Sequence, residues 1–331
     1  MTAKLAAPPG SHPGAGPGDL MRRGARLQAA NSAFGLVVRA AAASVFVVLA
    51  LIVVTTTKEA WPAFREVGPG FVSGTQWSPS TGTYGALPFI YGTMVSSLIA
   101  LVLALPVSIG IALFVNEFAP RRLRAPGVYL IDLLAAIPSV VYGLWGVLAL
   151  GPFLLPFVQK VAATVGTWPV FSSVFGGPVG LKSMFLAALI LTIMIVPIIT
   201  SLTREVFDTV PVDQKAAAFA LGATRWEMVR GAIFPHSRNG MIAAVLIGFG
   251  RAMGETIAVA LVIGSTAQIT TRIFAPADSM AGVIANTFAE SSGVNRAALV
   301  GLGVVLFVMT ILVNFAGQLV ARRAERRGRA R

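Results

Sequence analysis

Residues 201–240 read SLTREVFDTVPVDQKAAAFALGATRWEMVRGAIFPHSRNG and separate two apolar runs, 181–201 and about 241–264, each long enough to cross a bilayer. The segment between them is too well patterned to be a tether. Pro211 can open a helix, because the first helical turn leaves its donors free anyway. Ala216, Ala217, Ala218 and Ala220 are strong helix formers. Gly222 then permits a turn that other residues resist. Glu227 follows Thr224 by three positions, the spacing of a capping box, so a second helix is expected there. Pro235 stops or bends it before the next apolar run. Two short helices joined by a glycine turn at a membrane face predict a docking element, since ordered loops of this length usually have a function. Trp226, Met228 and Val229 are expected to be its exposed contacts.

Working outward, apolar runs recur along the whole chain. Of its 331 residues 56% are hydrophobic and only 12% charged, about half the charge of a soluble domain. Six runs can cross roughly 30 Å of hydrocarbon as helices. They are placed at about 36–57, 90–115, 129–150, 181–201, 241–264 and 297–320. The expected fold is therefore an all-α integral membrane protein with six transmembrane helices. The first run follows a tail of 35 residues and exceeds a signal core in length, so it reads as a span.

Charge sets the orientation, because short cytoplasmic loops collect Lys and Arg. With both termini cytoplasmic, the inner set is Lys4, Arg22, Arg23, Arg26, Arg39, Arg121, Arg122, Arg124, Arg204, Lys215, Arg225, Arg230, Arg238 and the arginines from Arg322 to Arg331, 19 of the 26 basic residues. The outer set is only Lys58, Arg65, Lys160, Lys182, Arg272 and Arg296. The net charge of +13 is thus a membrane signature rather than a nucleic-acid one.

Residues 1–30, rich in Pro, Gly and Ala, are expected to form a disordered cytoplasmic tail. Residues 31–89 hold the first span and an external loop in which Trp61, Trp77 and Tyr84 are candidate interface anchors. Residues 90–320 form the core, with the inner helices at about 211–235, and 321–331 form a basic cytoplasmic tail. The segment 151–180, broken by Pro152, Pro156, Pro169 and Pro178, is expected to be an external interfacial loop. Pro106, Pro138 and Pro197 lie inside predicted spans, where each is expected to kink its helix.

The chain has no cysteine and two histidines, His12 and His236, which excludes thiolate chemistry and a histidine-built metal centre. No lysine follows a glycine, so a Walker-type nucleotide site is excluded as well. An ATP-driven process would require hydrolysis on another chain, transmitted mechanically to residues 211–235.

Two charges fall inside the fifth run. Arg251 lies about ten residues in, roughly 15 Å deep, and Glu255 follows at i+4. On one continuous helix the two would share a face and pair. Charges at that depth cost at least about 2.5 kcal/mol each, so they are expected to face protein or a wet pathway, where Arg251 would favour an anion and Glu255 would orient it. Gly248, Gly250 and Gly254 around them allow close approach of backbone. Asp132, close to Arg121–Arg124, reads as interfacial.

The stretch AAAFALGATRWEMVRGAIFP at 216–235 resembles the cytoplasmic coupling motif of binding-protein-dependent ABC import permeases, which runs Glu-Ala-Ala, three residues, Gly, and a proline thirteen positions later. Ala217, Ala218, Gly222 and Pro235 match it, whereas Ala216 stands where the family has glutamate. PFIYGTMVSSLIALVLALPVSIGIALFVNEFAP at 88–120 resembles the first core segment of the phosphate-specific branch. IPSVVYGLWG at 137–146 and GRAMGETIAVALVIG at 250–264 resemble the first-named, or C-type, of that branch's two different permeases. The resemblance covers about 36–320. It implies a type I importer permease in a bacterial inner membrane, with a second, dissimilar permease, a cytoplasmic ATPase dimer and an external phosphate-binding protein as partners. It also implies no cofactor on this chain, ATP and Mg being bound by the ATPase subunits. The family's pathway residues carry over to Arg251 and Glu255, matched as RAMGE. Ala217, Ala218, Gly222, Ala223, Thr224, Arg225, Trp226 and Glu227 would form the ATPase contact. A sulfate or molybdate permease shares every feature read from the residues alone. A secondary anion transporter would explain Arg251 but leave 211–235 idle.

Overall fold

The computed structural model describes residues 17–329. The expected disordered tail therefore falls in part outside the described residues, and from Pro17 the chain is helical. Two units divide between Thr55 and Thr56. Residues 17–55, the described part of the first unit, all belong to helix α1 (Pro17–Val67), which continues into the second.

In the second unit α1 ends at Gly68, whose φ of +66° turns the chain. Helix α2 (Gly70–Ser73) and a two-residue antiparallel ladder, β1 (Trp77–Ser78) with β2 (Thr83–Tyr84), follow. Trp77 meets Tyr84 and Phe89 edge-on at 5.2 and 5.1 Å, and Tyr84 is buried. These two rings thus pack into a core with Phe71, Phe89 and Leu302.

The body is organised on α3 (Leu87–Leu113) and α8 (Met184–Asp208). Ser96, Ala100, Ala104, Ser108 and Ala112 recur every fourth residue of α3 and are all buried. Such a stripe lets backbones approach closely, which matters because lipid offers helices no hydrophobic drive to associate. Thr192 Oγ1 donates to the Ala100 carbonyl at 3.4 Å and Ser108 Oγ to the Val196 carbonyl at 3.3 Å, tying the two helices. Ile190, Leu191, Ile195 and Ile199 fill the core around them. Pro106 and Pro197 sit inside these helices without ending them.

The expected third span, 129–150, is corrected. Helix α4 (Arg121–Ala136) stops, and Ile137 and Pro138 are extended, because proline lacks the donor and drives its predecessor out of the helical region. Helix α5 (Ser139–Trp145) then continues through a π turn at Gly146–Leu150 into α6 (Gly151–Thr164). Ser139–Thr167 is a continuous apolar run of 29 residues, so the first half of the expected external loop 151–180 is helix. Pro152 is accommodated there because it occupies the first turn of α6. A short α7 (Ser172–Phe175) follows before α8.

Helices α9 (Val212–Ala220) and α10 (Arg225–Met228) are the predicted pair of short helices and lead by a π turn, Val229–Ile233, into α11 (Phe234–Met253). The expected fifth span, 241–264, is not one helix: Gly254–Thr256 are unwound, and α12 (Ile257–Val262) resumes beyond them. A loop leads back against α3, where a Cβ on Gly92 would lie 1.9 Å from the Asp278 carbonyl oxygen. Helices α13 (Met280–Thr287) and α14 (Gly293–Arg329) follow, the last of the described residues being Arg329. Among the described residues five helices are long and apolar enough to cross a membrane unbroken, in place of the expected six.

Candidate coupling surface and translocation site

The inner-face pair is built as its sequence dictates. Ala223 N–H donates to the Ala218 carbonyl at 3.1 Å and Gly222 N–H to that of Phe219 at 2.9 Å, closing α9. Gly222 has φ +83°, the left-handed conformation that glycine adopts without strain. Thr224 Oγ1 accepts from Glu227 N–H at 3.3 Å, while the Glu227 carboxylate accepts from Thr224 N–H at 2.8 Å, completing the capping box. The donations from the Thr224 N–H and hydroxyl to the carboxylate hold Glu227 below its ordinary range.

Ala216, Ala217, Gly222, Thr224, Arg225, Trp226 and Glu227 are exposed, with Ala218 and Ala223 half-buried beside them. Met228 and Val229, expected as contacts, are instead 3% and 0% exposed. They turn inward on Leu113, Phe207 and Ile233, because the π turn after α10 aims that face at the body. Leu221, at 89% exposed, and Val212, at 78%, take their place on the surface. An open groove of about 680 Å³ runs between α9 and the start of α11, lined by Ala217, Leu221, Ala223, Gly231 and Pro235 among others. The apolar Leu221 beside a glycine was the available sequence signal for this surface.

The pair is tied to the body by a polar cluster that the sequence reading missed. A π turn at Phe114–Phe118 ends α3. Its Val115 carbonyl accepts from Arg124 Nε of α4 at 2.9 Å. Asn116 Nδ2 donates to the Arg204 carbonyl and to Asp208 Oδ1 of α8, at 3.0 and 3.1 Å. Glu117 forms an ion pair with Lys215 of α9, both side chains being largely shielded.

The expected Arg251–Glu255 pair does not form. A single helix would bring them together, but α11 ends at Met253 and the two charges fall on either side of the break. Arg251 lies in the last turn of α11, where a cation suits the carbonyl end of the helix. Glu255 Oε1 accepts from Ala258 N–H at 3.3 Å, at the start of α12. Arg251 is exposed and Glu255 half-buried. Gly248 has the tight role expected, since a Cβ there would meet Ile199 Cγ1 at 2.5 Å, whereas Gly250 has open space. Asp132 is exposed on α4.

A second carboxyl was overlooked within the apolar run FAPADSMAGV. Asp278, in the loop after α12, is 5% exposed and accepts from Ser279 N–H at 2.8 Å. Burial pushes its carboxyl up to about 6, with that hydrogen bond acting against the shift. The residues expected to make the ATPase contact are thus gathered on one surface, while Arg251 and Glu255 form a separate locus.

Residues 104–327 match the family described as binding-protein-dependent transport system inner membrane component. The phosphate transport system permease protein PstC of Mesorhizobium japonicum is 40% identical over 304 residues, covering 91% of this chain and 93% of that protein. That of Haemophilus influenzae is 41% identical, covering 83% and 88%. PstC 2 of Mycobacterium tuberculosis is 38% identical, covering 91% and 92%. Among solved structures, a bacterial ABC transporter importing the acidic polysaccharide alginate aligns with a TM-score of 0.52 at 16% identity, over 72% of this chain and 79% of that one. The inward-facing MetNI methionine ABC transporter aligns at 0.50 and 20% identity, over 72% and 94%. At such identities these two show the fold alone.

Proposed function

The chain belongs to the family of binding-protein-dependent transport system inner membrane components and is a permease subunit of a phosphate ABC importer, and from this premise we propose how its two loci divide the work. The inner surface around Gly222 and Trp226 receives a cytoplasmic ATPase dimer, which binds ATP and Mg. The break in α11–α12 carries phosphate, delivered by an external binding protein, between this chain and a second permease. The path from α11 through α12 counts as the sixth crossing, and both termini are cytoplasmic, as the distribution of Lys and Arg supports.

The observation that carries the pathway reading is the exposed Arg251. Counted from Gly240 it stands roughly 16 Å along α11, near the middle of the hydrocarbon. It has no ion-pair partner among the described residues. A cation left so in lipid costs at least about 2.5 kcal/mol, so its exposed side is the side that faces water and the second permease. Discontinuous membrane helices serve other transporters in this way, by placing polar groups at mid-depth where they line a cavity. The permease breaks no bond: ATP binding closes the ATPases, the inner helices move, and the path alternates between its two openings.

ATP-dependent phosphate uptake by the whole complex in proteoliposomes, wild type against Arg251→Gln with ATPase activity recorded, tests this. Uptake reduced at least tenfold with hydrolysis retained places Arg251 on the path. Unchanged uptake overturns that role and leaves Arg251 as a partner of the α11 carbonyl end.

A further inference from the structure

The residue that the coupling motif replaces directs attention to its neighbour. Ala216 carries no charge, yet α9 has a shielded ion pair one residue earlier, from Lys215 to Glu117. Lys215 is 22% and Glu117 13% exposed at the side chain, so water screens the pair less than it would a surface pair. Three consecutive residues of the π turn each hold a different element: Val115 holds α4 through Arg124, Asn116 holds α8 through Asp208, and Glu117 holds α9. A π turn widens the helix and is frequent where helices carry function. Here it sets three successive residues toward three partners.

The contacts of α9 with the body are otherwise modest. No residue of α9 is buried, and of its apolar residues only Ala218 packs on the inner core. Met228, Val229 and Ile233, by contrast, seat the α10 end against Phe207 and Leu113. The α10 end of the inner unit is therefore held by packing of large side chains, whereas α9 itself contributes only Ala218 and one charge pair, with Val210 buried two residues before it.

We infer that the Glu117–Lys215 pair is the positioning link that keeps α9 fixed to the end of α3, so that displacement of the inner helices by the ATPase is passed to α3 and, through the same π turn, to α4 and α8. The inference rests on the importer reading above. The pair stays closed through the cycle and acts as a coupler rather than as a gate. Without it α9 yields under load: ATP is hydrolysed while less phosphate moves.

The test is the ratio of phosphate imported to ATP hydrolysed by the purified whole complex in proteoliposomes. Uptake by the wild-type complex, dependent on ATP and on the binding protein, checks the importer reading separately. Lys215→Gln and Glu117→Gln are each expected to lower the ratio at least fivefold with hydrolysis kept within about twofold. The exchanged double variant Glu117→Lys/Lys215→Glu is expected to recover at least half of it. An unchanged ratio in the single variants overturns the inference, and so does an exchange that assembles but restores nothing. Should the single variants fail to assemble, a cysteine pair at 117 and 215, bridged by a short bis-thiol reagent in this cysteine-free chain, decides the matter. Retained uptake after bridging supports a permanently closed link, and uptake abolished by bridging overturns it.

Discussion

Helices α3 and α8 each contain an internal proline and remain continuous, whereas α11–α12 contains no proline at its break and is interrupted. Proline removes one donor, and a helix survives that loss where its neighbours hold it. The α3–α8 contact does so with close backbone approach and hydroxyl-to-carbonyl bonds from Thr192 and Ser108. Around Gly254 the opposite holds: two glycines weaken the helix, and Glu255 offers its carboxylate to Ala258 N–H, starting a new helix in place of continuing the old one. The α4–α5 break lies between these cases. Pro138 ends α4, and the Tyr142 hydroxyl then donates to the Leu134 carbonyl across the gap. Membrane helices here break where another partner exists for the freed backbone, not simply where proline stands.

The strongest way to break this comparison is to spoil the spine. Ala104→Phe puts a ring where the residue is 0% exposed, and should cost about 3 kcal/mol or more, seen as loss of detergent-stable complex on size-exclusion chromatography. Gly250→Ala, with open space at its Cβ, should leave assembly intact in the same assay.

A smaller effect is expected on the loop that returns from the broken helix. Because the folded carboxyl of Asp278 is raised to about 6 from an ordinary 3.8, the cost of its ionisation is absent below about pH 3.8, grows as pH rises and is complete above about 6. At neutral pH the shift corresponds to at most about 3 kcal/mol. Asp278→Asn should therefore raise the thermal midpoint at pH 7.5 and flatten its fall between pH 4 and 6.

Glu255→Ala should cost about 1 kcal/mol at the start of α12, read as roughly fivefold faster hydrogen exchange at residues 257–260 with α8 unaffected. The smallest effect concerns Glu227, fully exposed. Its lowered carboxyl adds stability above about pH 4.5 that is lost as pH falls through the lower folded value. Glu227→Gln should remove that acid-dependent component of α10 without altering the spine.

The inner helix pair was legible residue by residue, since Pro211, Gly222, Thr224 and Glu227 each act locally on the backbone. Its orientation was not: Met228 and Val229 are buried because of a π turn, which shifts the helical face and has no simple sequence signature. The same limit hid Glu117–Lys215, whose members are 98 residues apart. The small-residue stripe of α3 was available as a four-residue repeat and went unread. The fifth span failed for a different reason. Hydropathy averages over Gly254–Thr256, so the stretch reads as continuous even when a carboxylate inside it accepts from the first turn of a second helix. Arg251 and Glu255 stand out in the sequence as charges within an apolar run, but their mutual pairing assumed an unbroken helix.

Trp226 gives the docking surface an optical property of its own. Its ring is 58% exposed and stands edge-on to Phe234 at 6.4 Å, so indole fluorescence at the inner face reports the polarity of whatever covers it. With the other tryptophans replaced by phenylalanine, burial in an ATPase cleft would shift that emission to shorter wavelength and shield it from aqueous iodide. The chain thus carries, without a dye, a reporter of the docking proposed for this surface.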